Sequence, residues 1–410
     1  MKRILFVHHG KGIGGAPLTL QAIIRSLDRS RFSPCVLCLY ETEATELFRR
    51  DGIETHVGRG IYHLAHTTGV WYPLRYLPIF LFRLSLFPLS VWNANRFLKN
   101  HRCDVVHLNS SSLLAIAIAA RVRKIPVLTH VLEHIHPGYF GFRRSILTKL
   151  LIAFSDAIVC ICHADARVFP KSSKLHVVYD GIDPEEFDPE KTGETSRSSL
   201  AIPAGAYVVG MLGGIQSIKG TFEFTKASVR VLQYSPNTHF VVLGVSPGWR
   251  QYKGAARVGY ILKSLSSGEA FYRRRVFALG RRQPMKGNIH FYETVLNVPP
   301  FLKMLDVLVF PSTVPHFARP LIEAGLMKKP VVASRIGGPE EIVVDGITGF
   351  LVPPGKPDEL ARQILTLLYS QSLRSQMGEA GRNRALDLFD KRKNIPEIIK
   401  LYDVIIKGDR

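Results

Sequence analysis

The sequence is poor in acid. Across 410 residues, 33 Asp and Glu stand against 54 Lys and Arg, a formal net charge of +21. Such a surplus favours anionic partners: nucleic acid, acidic lipid headgroups or phosphorylated substrates. Nucleic acid is set aside, because neither a recognition-helix motif nor an aromatic RNA-binding signature accompanies the charge. Cysteine is scarce as well. Five residues (Cys35, Cys38, Cys103, Cys160, Cys162) form no disulfide framework, and their odd number suits a reducing compartment. Cys35 and Cys38 have metal-like spacing, but they sit in an apolar strand-like run, PCVLCLY, with no second pair to complete four ligands. Both are read as buried thiols. No Asp-x-Asp motif offers a divalent-cation site. The sequence predicts no secretory leader, since MKRILFVHHG turns polar after Ile4 to Val7. A cytoplasmic location follows as the expectation.

Uninterrupted apolar length is missing too. The most apolar stretch, GVWYPLRYLPIFLFRLSLFPLSVW within Ile61 to Asn100, is broken by Arg75, Arg83 and three prolines. A spanning helix needs ~20 apolar residues without central charge, so this is a poor membrane span. Trp71, Tyr72, Arg75 and Arg83 combine interface anchors with cations, which favours an anionic membrane surface at the inner face of the cytoplasmic membrane. A helix buried against the core is the alternative. From Trp249 to Lys286 ten Lys and Arg stand against the single acid Glu269, either a solvated surface or a dock for a polyanion.

What is present is the composition of a globular protein, 46% hydrophobic and 21% charged, with enough chain for two domains. The strand-like run Ile4 to Val7 leads into HHGKGIGGAP and then an amphipathic helical pattern with Leu20, Ile23, Ile24 and Leu27 on one face. Gly14 and Gly15 there let a ligand approach a helix N-terminus. Further strand-like runs at Pro34–Leu39, Asp104–Leu108, Val127–Thr129, Ala157–Ile161 and Val177–Tyr179 alternate with helical patterns, notably Leu113–Arg123. The same grammar restarts with AYVVGMLGG and HFVVLG. Alternation of this kind predicts an α/β protein of two Rossmann-like domains facing across a cleft. The expected boundaries are 1–185, a polar linker at 186–200, 201–390, and a C-terminal helix at 391–410 that packs on either domain.

Asp306 to Val352 carries the clearest site. Two β-branched runs bracket a short helical pattern that begins near Pro320, so the free N–H groups of its first turn can hold an anion such as a diphosphate. Glu323 lies close behind, placed to grip a hydroxyl beside the phosphate; a buried helix with an acid near its N-terminus is the plainer alternative.

The segment FARPLIEAGLMKKPVVASRIGGPEEIVVDGITGFLVPPGKPDEL resembles the signature of the retaining glycosyltransferases of family 4, which have the GT-B fold. GGAPLTL, DVVHLNSSSLLAIAIAARVRKIPVLTHVLEH, VVYDGIDPEEFDP and GGIQSIKG resemble further family motifs in the family's order. Asp180 stands where the third of these usually has asparagine. The resemblance implies metal-independent, retaining transfer of a sugar from a nucleotide diphosphate sugar to a hydroxyl of a glycan or lipid-linked acceptor, without a cofactor. It assigns catalytic roles to His130, Lys219 and Glu323: His130 beside the donor sugar, Lys219 on the donor phosphates, Glu323 on the ribose hydroxyls. Donor binding is further assigned to Gly14, Gly15, Gly213, Gly214, His316, Phe317, Ala318, Arg319, Leu321 and Ile322, the last two through backbone N–H groups. Two positions depart from the family pattern. Pro315 stands where the first of a pair of glutamates belongs, and Gly214 where a basic residue is usual, so His316 and Arg319 are candidate replacements. Glu133 and His134 are further candidates for the sugar site. A degenerate family member serving as a nucleotide- or membrane-binding scaffold, and a nucleotide-sugar epimerase on the same fold, are the competing readings.

Overall fold

The computed structural model describes residues 1–10, 12, 14–64, 77–193, 197, 200–245, 268–295 and 297–408. Trp71, Tyr72, Arg75 and the part of the basic stretch at 249–267 lie outside the described residues.

The chain forms two compact units, 1–181 with 391–410, and 182–390. In the first, β1 (Lys2–His8), β2 (Phe32–Cys38), β3 (Glu54–Val57), β4 (Val105–Leu108), β5 (Val127–Val131), β6 (Ala157–Cys160) and β7 (Leu175–Val177) make one sheet in the order β3-β2-β1-β4-β5-β6-β7. Every pairing is parallel. Between the strands lie α1 (Gly15–Arg25), α2 (Glu43–Arg50), α3 (Leu77–Ser85), α4 (Phe87–Asn100), α5 (Leu114–Val122), α6 (Phe142–Phe154) and α7 (His163–Ala166). Helices on both faces bury both sides of each central strand, which explains why β1 reads as a continuous apolar run. Its alternation assigns Leu5 and Val7 to a core with α4, α5 and α6, and Ile4 and Phe6 to an opposite core with α1.

The second unit repeats the plan. Its strands β8 (Tyr207–Leu212), β9 (Thr238–Leu243), β10 (Ile289–Tyr292), β11 (Val307–Phe310), β12 (Val331–Ser334) and β13 (Gly349–Val352) run in the order β10-β9-β8-β11-β12-β13, again parallel. Its described helices are α8 (Thr221–Tyr234), α9 (Glu269–Gly280), α10 (Pro299–Met304), α11 (Arg319–Leu326), α12 (Gly338–Ile342), α13 (Pro357–Tyr369) and α14 (Gln371–Leu388). The stretch 186–200, expected as a linker, belongs to this unit. Phe187 is buried in it, and the Phe187 carbonyl accepts from Arg382 at 3.3 Å.

The last helix, α15 (Lys391–Lys407), belongs to the first unit. Ile395, Ile398, Tyr402 and Ile405 recur at helical spacing and fill the core that holds Ile4 and Phe6. Each such side chain contributes on the order of 2 kcal/mol by burial. Tyr402 is fully buried, with its hydroxyl 2.7 Å from His107 Nδ1. The chain leaves the unit after Gly181 and re-enters at Lys391, and the two points touch. A Cβ on Gly181 would lie 2.5 Å from Lys391 Cα, so only glycine fits there.

Burial holds His107 and His130 neutral, His130 down to about 3. The folded value lies below the unfolded one, so the unfolded chain takes up protons that the fold refuses. Stability is therefore full above about pH 6.5 and declines as pH falls from there toward 3. His130→Leu is expected to leave stability at pH 7.5 unchanged or higher and to flatten this decline, which for one histidine has a limiting slope of about 1.4 kcal/mol per pH unit. Urea unfolding at several pH values measures it; an unchanged slope would count against the neutral buried histidine.

Candidate active site

A doubly wound sheet opens a crevice at the carboxyl edge where its strand order reverses. In the second unit the reversal falls between β8 and β11. The loop after β8 supplies Lys219 and the loop after β11 supplies His316, and the two meet: Lys219 Nζ lies 2.8 Å from His316 Nε2. His316 Nδ1 is 3.1 Å from the Val314 carbonyl, which can only accept. The proton therefore sits on Nδ1, and Nε2 receives a hydrogen bond from the Lys219 ammonium. Ser312 fixes the arrangement, with Oγ 2.9 Å from the Ile218 carbonyl and 3.1 Å from His316 Nδ1. The Lys219 ammonium also lies 5.2 Å from the Phe310 ring centroid. Burial pushes Lys219 down to about 8 and His316 down to about 3, the latter aided by the neighbouring Lys219 charge. A partly buried ammonium with a neutral acceptor as its partner keeps its charge available and is chemically suited to receive an anion.

The glycines of this loop meet a demand of space. The N–H groups of Gly213 and Gly214 both donate to the Leu243 carbonyl, at 3.1 and 2.9 Å. Gly214 has φ +70°, and a Cβ there would fall 2.2 Å from the Gly244 carbonyl oxygen. The basic residue expected at this position has no room. Farther along, α11 begins at Arg319. The Leu321 N–H already donates to the Ala318 carbonyl at 2.9 Å, and Ala318, Leu321 and Ile322 are buried. The expected N–H cradle is thus partly spent within the helix. Phe317 stands edge-on to Phe389, with ring centroids 6.2 Å apart. Glu323, only 8% exposed, accepts from Arg319 Nε at 3.0 Å. Arg319 is therefore engaged with Glu323 and His316 with Lys219; neither replaces the carboxylate missing at Pro315.

In the first unit the reversal falls between β1 and β4. Gly14 caps α1 and Gly15 opens it, with open space around Gly14. The carboxyl edge of β4 and β5 carries a denser polar group. Glu133 Oε1 accepts from Ser110 Oγ at 2.6 Å, Ser111 Oγ at 2.7 Å and the Ser111 N–H at 3.0 Å. Burial raises the Glu133 carboxyl above its usual range even against these three donors. Beside it, His134 Nδ1 lies 2.9 Å from Asp165 Oδ1, and Asp165 Oδ2 accepts from the Cys162 thiol at 3.1 Å. Asp165, on the short helix α7, is 2% exposed and holds the His134 ring in one orientation.

His130 is elsewhere. The strand runs on to Val131, and the His130 ring turns inward, 1% exposed, toward a small cavity shared with Thr19, Tyr179, Asp180, Asn394 and Ile398. Neither ring nitrogen has a hydrogen-bond partner. Strand ends drift by a residue or two in sequence reading, and here that drift exchanges an edge residue for a core one. The polar edge instead belongs to Glu133 and His134. Ser110, Ser111 and Asp165 were not foreseen; the run of three serines directly after a strand was the available signal, whereas nothing in the sequence singled out Asp165.

Comparison with known proteins supplies the family. The family model described as Glycosyl transferases group 1 matches residues 193–384, and that described as Glycosyltransferase Family 4 matches residues 13–186. The chain belongs to these glycosyltransferases. The UDP-Gal:alpha-D-GlcNAc-diphosphoundecaprenol alpha-1,3-galactosyltransferase of Escherichia coli is similar, 23% identical over 77% of this chain and 80% of that protein. A D-inositol 3-phosphate glycosyltransferase of Corynebacterium urealyticum is 28% identical over 60% of this chain and 57% of its own. Among solved structures, Anabaena Alr3699/HepE in complex with UDP-glucose superposes with a TM-score of 0.74 and 22% identity, covering 98% of this chain and 100% of that one. The glycosyltransferase has the expected GT-B type of fold, with a Rossmann-like sheet in each unit.

The Lys219 geometry gives the enzyme a pH signature. In the ligand-free protein the ammonium loses its proton through about pH 8, so affinity for inorganic diphosphate should be level below pH 7 and fall up to about tenfold per unit above pH 8. Titration calorimetry tests this. Lys219→Ala should bind weakly with a flat profile, whereas a parent protein that binds equally at pH 7 and pH 9.5 would exclude Lys219 as the anion receptor.

Proposed function

We propose that the enzyme transfers a hexosyl group from a nucleoside diphosphate sugar to a hydroxyl of a glycan or lipid-linked acceptor, with retention at the anomeric carbon and without a metal. The observation that carries this reading is the contact of Lys219 with neutral His316 at a strand-order reversal, in a family of sugar-transferring enzymes. The donor complex named for Anabaena HepE and the diphosphoundecaprenol acceptor named for the Escherichia coli relative support the two substrate classes.

In this reading Glu323 receives the ribose hydroxyls and Lys219 the diphosphate. As the bond from the anomeric carbon to the diphosphate oxygen breaks, its electron pair goes to the diphosphate and Lys219 stabilises the charge. The acceptor oxygen bonds to the anomeric carbon on the same face, and its proton passes to the departing diphosphate oxygen. Within the first unit, Glu133 and His134 take the place of His130 as the candidates for holding hydroxyls, and Asp165 sets the His134 ring. The protein works at the inner face of the cytoplasmic membrane as a peripheral enzyme, a reading supported by exposed Phe82, Leu84, Leu89 and Trp92 beside Arg83 and Arg96. No described helix is long and apolar enough to cross a membrane.

Each of these roles has its own test. A thermal-shift screen over nucleotides and nucleotide sugars identifies the donor by mass action. With that donor, Glu323→Ala should lose at least about a hundredfold in kcat/KM, roughly 3 kcal/mol of lost transition-state binding; transfer as fast as the parent's would remove Glu323 from the site. Proton NMR of the product should show the donor's anomeric configuration, and a chelator should leave the rate unchanged; inversion or chelator sensitivity contradicts the mechanism. Asp165→Asn should lower kcat about tenfold and move its pH profile while nucleotide affinity holds; an unchanged profile would make Asp165 merely structural.

A further inference from the structure

Helix α3 is exposed where its composition calls for cover. Its sequence, LPIFLFRLS, is apolar nearly all round, yet residues 81 to 85 are all exposed, with Leu81 at 53% and Phe82 at 65%. A helix of this kind is stabilised by whatever buries it. Leu89 and Trp92 extend the apolar surface along α4.

A second observation comes from a different part of the chain. The turn before α6 places Phe140 at φ +53°, between Gly138 at φ +74° and Gly141 at φ +78°. Positive φ is a strained choice for a bulky side chain, and such strain clusters where a side chain has a task. The Phe140 ring is 95% exposed, so packing within the unit does not account for it. Phe142 and Ile146 follow on the first two turns of α6, at 70% and 59%. The two patches meet through Arg143, whose guanidinium carbon lies 5.8 Å from the Phe80 ring centroid on α3. Charge is one-sided across both. No Asp or Glu occurs between Glu54 and Asp104, nor between Glu133 and Asp156, whereas Arg83, Arg96, Arg143, Arg144 and Lys149 do.

We infer that the Phe140–Ile146 turn and the outer face of α3 and α4 form one docking surface for an anionic lipid bilayer. Phe140 enters the headgroup–acyl boundary as a wedge, Phe142, Ile146 and α3 lie at the same depth, and the cations meet acidic headgroups. A second copy of the chain is disfavoured as occupant, because two such acid-free cationic faces repel one another. The inference rests on the peripheral reading given above and adds to it a surface at 138–149 remote in sequence from the apolar segment.

The test is flotation of the full chain with vesicles of phosphatidylcholine, alone and with phosphatidylglycerol added, at low and high salt. The parent should float with the anionic vesicles and be partly released by salt. Phe140→Ser/Phe142→Ser/Ile146→Ser should bind at least about tenfold more weakly, and Arg143→Gln/Arg144→Gln should lose the salt-sensitive part. Phe140→Gly separates docking from folding: relief of the strained φ should keep or raise its melting temperature while its vesicle affinity falls severalfold. All should transfer sugar to a water-soluble acceptor at the parent's rate. If the parent floats and the triple variant floats equally, this surface is wrong though the peripheral reading stands. A parent that ignores anionic vesicles defeats both, and leaves the Glu323 assay untouched. A concentration-dependent dimer in light scattering, dispersed by the triple variant, would make the surface an interface between copies.

Discussion

A parallel sheet cannot turn back on itself. Each unit must carry the chain from one edge of its sheet to the middle, and the gap left at the reversal is the one place on the carboxyl edge where loops diverge. Lys219 and His316 come from the two loops that flank this gap in the second unit, and Asn109 to Ser112 follow the strand that borders it in the first. The helices, the cores on both faces and the continuous apolar strands follow from the same requirement. A half-exposed parallel sheet would leave apolar side chains in water on one side.

Desolvation sets the chemistry placed at these gaps. Lys219 is protonated at neutral pH, but burial leaves its ammonium short of solvation. His316 contributes by staying neutral. A protonated imidazole 2.8 Å from an ammonium would repel it, so the Val314 carbonyl that fixes the tautomer also supports the Lys219 contact. Glu133 shows the opposite balance. Three donors on one oxygen favour its charge, burial opposes it, and burial prevails.

Much of this was legible in the sequence. Apolar runs separated by helical periodicity specify two doubly wound units, and the buried thiols Cys35 and Cys38 lie on β2 as their neighbours imply. Lys219 and Glu323 sit in loops and helices that motif spacing could place. His130 reads as an edge residue only if the strand stops short of it; β5 runs on to Val131, and alternation turns the His130 ring into the core. Gly214 could not be understood without its neighbour across the sheet, since the obstacle is the Gly244 carbonyl, thirty positions on. Asp165 escaped for a similar reason. It is joined to His134 only by the adjacency of β5 and β6, which no local pattern encodes.

The contact between Gly181 and Lys391 bears on how the protein is made. The ribosome delivers the first unit's strands before the second unit, but the helix that covers Ile4, Phe6 and Tyr402's partner His107 only after it. Throughout synthesis of the intervening 182–390 segment, that face of the nascent sheet has α1 but lacks the part of its cover that α15 supplies. The second unit, continuous in sequence, can complete its core before the first. The first unit is therefore begun before the second and finished after it, and loss of the last turns of α15 would be felt at β1.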